Sequence, residues 1–160
     1  MQSMQSMRGL LGGLEPEQRE RLRTLGTEVA FAPGAEIFEE GTRADRFWIL
    51  RSGSAVLDLH VPGRRRVVID TVRQGELLGW SWLFPPYVWT LNGEAATSVR
   101  ALEFDAEEVR QLCREDPALG QALVWAVASV IGDRLRRSRS RLLDLFGPYA
   151  PQGRTEEDGD

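Results

Sequence analysis

The sequence predicts a mainly β domain with flanking helices, a jelly roll or barrel that runs into one long C-terminal helix. Three observations predict it. Between Thr27 and Phe104 apolar residues alternate with a period of two, in short runs about ten residues apart, divided by glycine-containing turns. From Asp116 to Phe146 the period changes to three or four and is sustained. A chain of 160 residues, 42% apolar and 28% charged, suffices for one domain with its own core.

The elements follow in order. Met1 to Leu14 carries a repeated Met-Gln-Ser and lacks the apolar core of a signal peptide. Residues 1–9 are assigned to a disordered N-terminal tail, and fraying is expected as far as Leu14. Glu15-Pro16-Glu17 opens a short helix bearing Leu22 and Leu25. Pro16 suits its first turn, and Glu17 and Glu20 suit the positive end of its dipole. Gly26 ends it. Val29 and Phe31 alternate, Pro33-Gly34 turns the chain, and Ile37-Phe38 precedes a turn around Gly41. Phe47-Trp48-Ile49-Leu50 is apolar at every position, which implies a strand covered on both faces. After the hairpin turn Arg51-Ser52-Gly53, Val56 to Val61 places Leu57, Leu59 and Val61 on one face and Asp58 and His60 on the other. Pro62-Gly63 turns, Arg66 to Val72 returns, and Ala95 to Phe104 forms the last strand.

Asp105-x-x-Glu108 has the spacing of a helix N-terminus, with Val109 and Leu112 facing inward. Asp116-Pro117 then supplies an N-cap and a first-turn proline for the long helix, which Gly147-Pro148 stops. At 1.5 Å per residue that helix is about 45 Å long, longer than a small barrel needs. Its stripe runs Leu119, Leu123, Ala126 or Val127, Val130, Ile131, then Leu135, Leu142 and Leu145, with Ser138 interrupting. A stripe that outlasts its own domain points to a second chain. A parallel homodimer through Val127, Ile131, Leu135 and Leu142 is therefore expected; the alternative is a second half that frays. Residues 147–160 read as a disordered acidic tail.

One stretch fits neither period. Gly75 to Trp89 holds Trp80, Trp82 and Trp89 of the five tryptophans and ends near Pro85-Pro86, which excludes helix and central strand there.

The totals exclude several functions. Cys113 is the single cysteine and His60 the single histidine, so no intramolecular disulfide, zinc ribbon, all-cysteine cluster or multi-histidine metal site is available. No nucleophile–base–acid set can be assembled, so an enzyme is not expected; Cys113 reads as a buried small residue. No run of about 18 apolar residues occurs, so no membrane span is expected, and a cytoplasmic location follows. Net charge is −4. Arg134, Arg136, Arg137, Arg139 and Arg141 crowd the end of the long helix, but Glu156, Glu157, Asp158 and Asp160 compete for them, and DNA is not expected as a partner.

The order of elements resembles the cyclic-nucleotide-binding domains of catabolite-activator-type (Crp/Fnr-like) regulators. Four segments carry the resemblance: Pro33-Gly34-Ala35-Glu36-Ile37-Phe38-Glu39-Glu40-Gly41, Phe47 through Val56, Gly75-Glu76-Leu77-Leu78-Gly79, and the helix from Asp116. It covers Leu10 to Phe146 and implies a double-stranded β-helix (jelly roll) over about 27–104, helices over 105–146, and a phosphate-binding cassette opening at Gly75. It implies a ribose-binding glutamate after Gly79, where this chain has Trp80, and a phosphate-binding arginine at Trp89 or Thr90. From Gln74 to Val99 there is no Arg or Lys, while Glu76 and Glu94 add negative charge. Those departures point away from ordinary cAMP or cGMP binding and leave no certain cofactor. Backbone N–H groups after Gly79 offer only part of an anion site. A cation from the Arg134 to Arg141 cluster of a partner helix would complete it. The usual winged helix-turn-helix has no counterpart in the short remainder after Phe146.

The site residues this reading names are Gly79, Trp80, Ser81, Trp89 and Thr90, with Trp82, Leu83 and Phe84 as a core plug. The expected function is a stand-alone regulatory domain that senses a small, nucleotide-like ligand and signals through its long helix. The alternative is a degenerate fold, its pocket filled by Trp80 and Trp89, that serves as a dimerisation or protein-docking module.

Overall fold

The computed structural model describes residues 9–63 and 65–146. The tails assigned to residues 1–9 and 147–160 lie outside these, Gly9 apart. Eight strands form two four-stranded antiparallel sheets. One has β1 (Thr27–Phe31), β8 (Val99–Asp105), β3 (Arg46–Ser52) and β6 (Leu77–Leu78) in that order. The other has β2 (Glu36–Phe38), β7 (Asn92–Ala95), β4 (Ala55–Leu59) and β5 (Val67–Val72). This is the jelly roll. Helix α1 (Pro16–Arg23) precedes it; α2 (Ala106–Glu115) and the 30-residue α3 (Pro117–Phe146) follow.

Local chemistry sets the element ends. The side chain of Asp105 accepts the N–H of Glu108 at 3.1 Å and caps α2. Asp116 does the same for Leu119 at 3.2 Å, with Pro117 as the first residue of α3. Gly53 is obligatory at the β3–β4 turn: its φ is +81°, and a Cβ there would stand 2.1 Å from the Ser98 carbonyl oxygen.

The all-apolar strand is covered on both faces, as its residues require. Successive residues of β3 point to opposite faces. Phe47 stacks on Trp82 (4.1 Å between ring centroids) and on Phe104 (4.8 Å). Trp48, next in sequence, stacks instead on Phe38 (5.7 Å) and Trp89 (6.2 Å). Trp82 is fully buried, with its indole N–H on the Gly79 carbonyl at 3.0 Å. It plugs the core as expected; Leu83 is only partly buried and Phe84 is exposed.

Three local readings are corrected. Leu10–Gly13 is not frayed but a short 3-10 helix; Leu10 and Leu14 are buried in the core, and Gly13 lies against Ala126 of α3. The strand read over Ala95 to Phe104 is two strands in different sheets, β7 and β8, joined at Ala96–Ser98. Neither glycine nor proline marks the join, and so the crossing is hidden. β6 forms inside the stretch read as irregular. Asp58 lies on the face of β4 opposite Leu57, where alternation places it, yet is 1% exposed. It sits opposite Asn92 in a regular pairing with β7, and its burial comes from the side chains that lie over it. The carboxylate is paired with Arg66 and accepts a hydrogen bond from Asn92 Nδ2 at 3.1 Å.

Helix α3 divides its stripe. Leu119, Leu123 and Val127 are fully buried, and Val130 and Ile131 pack partly against the core. That corrects the dimer assignment for Val127, which is spent inside its own domain. Leu135 and Leu142 are 70% and 56% exposed. By length and composition Pro117–Asp144 of α3 is apolar enough to cross a membrane; of its apolar residues Leu119, Leu123 and Val127 are turned into the domain.

Phe47→Ala removes a ring held between two others. It is expected to destabilise the fold by about 3–5 kcal/mol, read as a lower urea midpoint at unchanged m-value.

Candidate functional site

The loop from Gly75 to Trp89 is built on its glycines. Gly79 has φ +93°, where a side chain is strained. Its missing Cβ also makes room: a Cβ there would stand 2.5 Å from Cη2 of Trp89. The far edge of the Trp89 indole abuts Gly79, and its face stacks on Phe38 at 4.0 Å and 21°. It is 4% exposed. After Trp80 the chain makes a single 3-10 turn, Ser81–Leu83, closed by Leu83 N–H on the Trp80 carbonyl at 3.1 Å.

Gly79, Trp80, Ser81, Trp89 and Thr90 converge on one cavity, together with Phe38, Leu57, Leu91 and Arg134. Its volume is ≈ 20 Å³, room for about one water molecule. The five loop residues that the sequence reading named all line this cavity. It left undecided whether Trp89 fills the pocket or lines it, and in this state Trp89 fills it.

Arg134 was missed as a residue of this chain's own pocket; its cluster was assigned to a partner helix. The stripe held the signal. Leu119, Leu123, Val127 and Val130 lead by threes and fours to position 134, where an arginine replaces the next apolar residue. Its guanidinium is 5% exposed and carries three sets of contacts. Nη2 donates to the Leu77 carbonyl. Nε stands 3.3 Å from Asp70 Oδ2, an ion pair without hydrogen-bond alignment. The Trp80 ring lies beneath Cζ at 4.7 Å. Nε and Nη1 have no hydrogen-bond acceptor among the described residues. Burial pulls the Arg134 pKa down to about 10, partly offset by Asp70 and Glu76, so it remains a cation at neutral pH.

The rest of the loop is apolar and outward. Phe84 and Val88 are exposed, and Arg110 lies over the Tyr87 ring at 4.5 Å and donates to the Trp82 carbonyl at 2.6 Å. Burial raises the Cys113 thiol above its ordinary value, which keeps it protonated and unreactive at neutral pH. Among the described residues no group of acids, His and Cys has the makings of a metal site.

The comparisons with known proteins bear on this geometry. A model of the family "Cyclic nucleotide-binding domain" matches residues 28–116. The CRP-like cAMP-activated global transcriptional regulator of Mycobacterium tuberculosis (strain ATCC 25618 / H37Rv) is 27% identical over 143 residues, 89% of this chain and 62% of that regulator. The HTH-type transcriptional regulator Cmr of the same species (strain CDC 1551 / Oshkosh) is 28% identical over 144 residues, 88% of this chain and 57% of that regulator. The chain thus spans about three-fifths of the length of these relatives. Among solved structures, the N-terminal domain of a transcriptional regulator from Streptomyces coelicolor A3(2) superposes with a TM-score of 0.67 at 31% identity, covering 86% of this chain and 95% of that one. A cyclic nucleotide-binding domain from Methylobacillus flagellatus KT shares the fold at a TM-score of 0.78 and 16% identity, covering 88% of this chain and 82% of that one.

The packing of Trp89 on Gly79 yields a thermodynamic cycle. Gly41 has a similar φ of +83° with nothing near its missing Cβ. Gly41→Ala is expected to cost only the left-handed strain, about 1–2 kcal/mol. Gly79→Ala should cost about 1–3 kcal/mol more from overpacking. In a Trp89→Ala background that excess should vanish, as measured by chemical denaturation of the wild type, the three single variants and the Gly79→Ala/Trp89→Ala double variant.

Proposed function

The chain belongs to the cyclic nucleotide-binding domain family, and on that premise we propose that it is a regulatory domain that takes a small anionic, planar ligand at the Gly79–Trp89 cavity and signals through α3. The observation that supports this reading is Arg134. A guanidinium with an unpartnered Nη1, buried beside a cavity and stacked on Trp80, is a preorganised half of an anion site. An anion arriving there supplies the acceptor the protein withholds. Trp80 and Trp89 offer flat apolar walls, and Ser81 and Thr90 offer hydroxyls for orientation. The cation comes from α3 and not from the loop, so the ligand bridges the jelly roll and the signalling helix.

The state described is the closed one. Withdrawing the Trp89 ring from Gly79 and Phe38 costs about 1.5–3 kcal/mol of burial. That lowers apparent affinity by roughly ten- to a hundredfold against an open pocket. Binding is then a population shift toward a state in which Trp89 has moved. The Mycobacterium tuberculosis relative is by name cAMP-activated, which makes cAMP the first ligand to test, although neither Trp80 nor Trp89 reproduces the ribose and phosphate contacts that the family resemblance implies.

Dimerisation belongs to the same reading. Leu135, Leu142 and Leu143 are 70%, 56% and 62% exposed on α3, and Val124 and Trp125 are 45% and 68% exposed nearer its start. A second copy packed along α3 would cover apolar side chains of this kind. A cytoplasmic location goes with it.

Ligand binding is tested by thermal shift and tryptophan quenching with cAMP, cGMP and cyclic dinucleotides. At a hundredfold excess over Kd one of them should stabilise the protein by about 2.7 kcal/mol, and Arg134→Met should abolish the shift. If none shifts the melting temperature, the docking-module reading takes its place. For the dimer, Leu135→Asp combined with Leu142→Asp is expected to convert a dimer to a monomer in sedimentation velocity, with the thermal transition retained.

A further inference from the structure

Three arginines of α3 reach one strand. Arg134 Nε stands 3.3 Å from Asp70 Oδ2, and Arg137 Nη1 3.6 Å from Oδ1 of the same carboxylate. Arg141 Nη1 donates to the carbonyls of Val68 and Ile69, at 3.0 Å each. Steps of three and four place the three side chains on one helix face. The strand is β5, an edge of its sheet. Its register against β4 slips so that Asp70 opposes Leu57 and Val68 opposes Asp58, which leaves Ile69 unpaired. The bulged edge carries free carbonyls, and Arg141 takes two of them. Arg136 is not part of this set; it pairs with Asp133.

From Leu135 to Asp144 no residue of α3 is buried. Apolar packing therefore does not hold this half of the helix to the domain, and the arginine contacts are what the structure offers instead. Their strengths differ. Arg134 and Asp70 have side-chain exposures of 6% and 17%, where an ion pair is weakly screened. Arg137 is 51% exposed, where a pair contributes little alone.

We propose that Arg134, Arg137 and Arg141 form a clasp that fixes the second half of α3 to β5 and ties its position to the cavity, because Arg134 belongs to both. This regulation rests on the function proposed above for the same site. An anion at Nη1 leaves Nε on Asp70, so ligand and clasp use different edges of one guanidinium and are coupled through it. Trp80 seats that guanidinium from below.

The test is amide hydrogen exchange of the ligand-free full chain, so that failure to bind any nucleotide leaves its readout intact. Asp70→Asn, which weakens two legs, should speed exchange over residues 136–144 about tenfold. The exposed pair Arg137→Gln with Arg141→Gln should speed it about threefold and keeps the test open if Asp70→Asn does not fold. Trp80→Ala should also speed it, at least about twofold, through Arg134. Amides of β3 and β8 should stay unchanged throughout. Unaltered exchange over 136–144 in the arginine double variant overturns the clasp, and so does an equal rise in β3 and β8. Unaltered exchange in Trp80→Ala overturns the tie to the cavity.

Discussion

A guanidinium that is 5% exposed constrains everything around it. Removing a cation from water costs several kcal/mol unless partners are fixed in place. Arg134 collects its partners from separate parts of the chain: Asp70 on β5, the Leu77 carbonyl on β6, and the Trp80 ring at the head of the loop. Each must be in register for the charge to be tolerated, so the charge reports on all of them. An apolar residue at 134 would have continued the stripe of Leu119, Leu123 and Val127 and left the helix free to slide along an apolar groove. Arginine fixes its axial position.

The second constraint is the room that glycine leaves. Aromatic rings lie on both faces of β3: Phe47 with Trp82 and Phe104 on one, Trp48 with Phe38 and Trp89 on the other. Gly79 lies where these two sets approach each other. Its carbonyl takes the Trp82 N–H, and its bare Cα leaves room for the edge of the Trp89 ring. The same backbone that frames a phosphate in the family here frames an indole. A pocket closed by one ring has an opening cost set by that ring's contacts.

Much of the fold was legible. Asp105 and Asp116 cap helices because a short acceptor before an apolar run satisfies the first free N–H groups wherever it occurs. Phe47 to Leu50 had to be covered on both faces. Other features were not legible. The crossing at Ala96–Ser98 carries no strong breaker, so two strands in different sheets read as one. Leu10 and Leu14 stood in a segment of low periodicity, and their burial depends on α3 arriving more than a hundred residues later in the chain. Asp58 was placed by alternation on the face away from Leu57, and what buries it there, Asn92 on β7 and Arg66 just before β5, comes from other parts of the chain.

The sequence by itself determined the turns, the caps, the strand and helix periods, and the loop where aromatic residues replace polar ones. These follow from dihedral preferences and side-chain spacing, which act over a few residues. Tertiary structure decided that Trp89 fills the space above Gly79, that Val127 is spent on the domain's own core, and that the cation at the cavity belongs to this chain. Arg134 and the Leu77 carbonyl are 57 residues apart. No local rule connects them, because the energy of a buried charge depends on what the rest of the fold brings within hydrogen-bond reach.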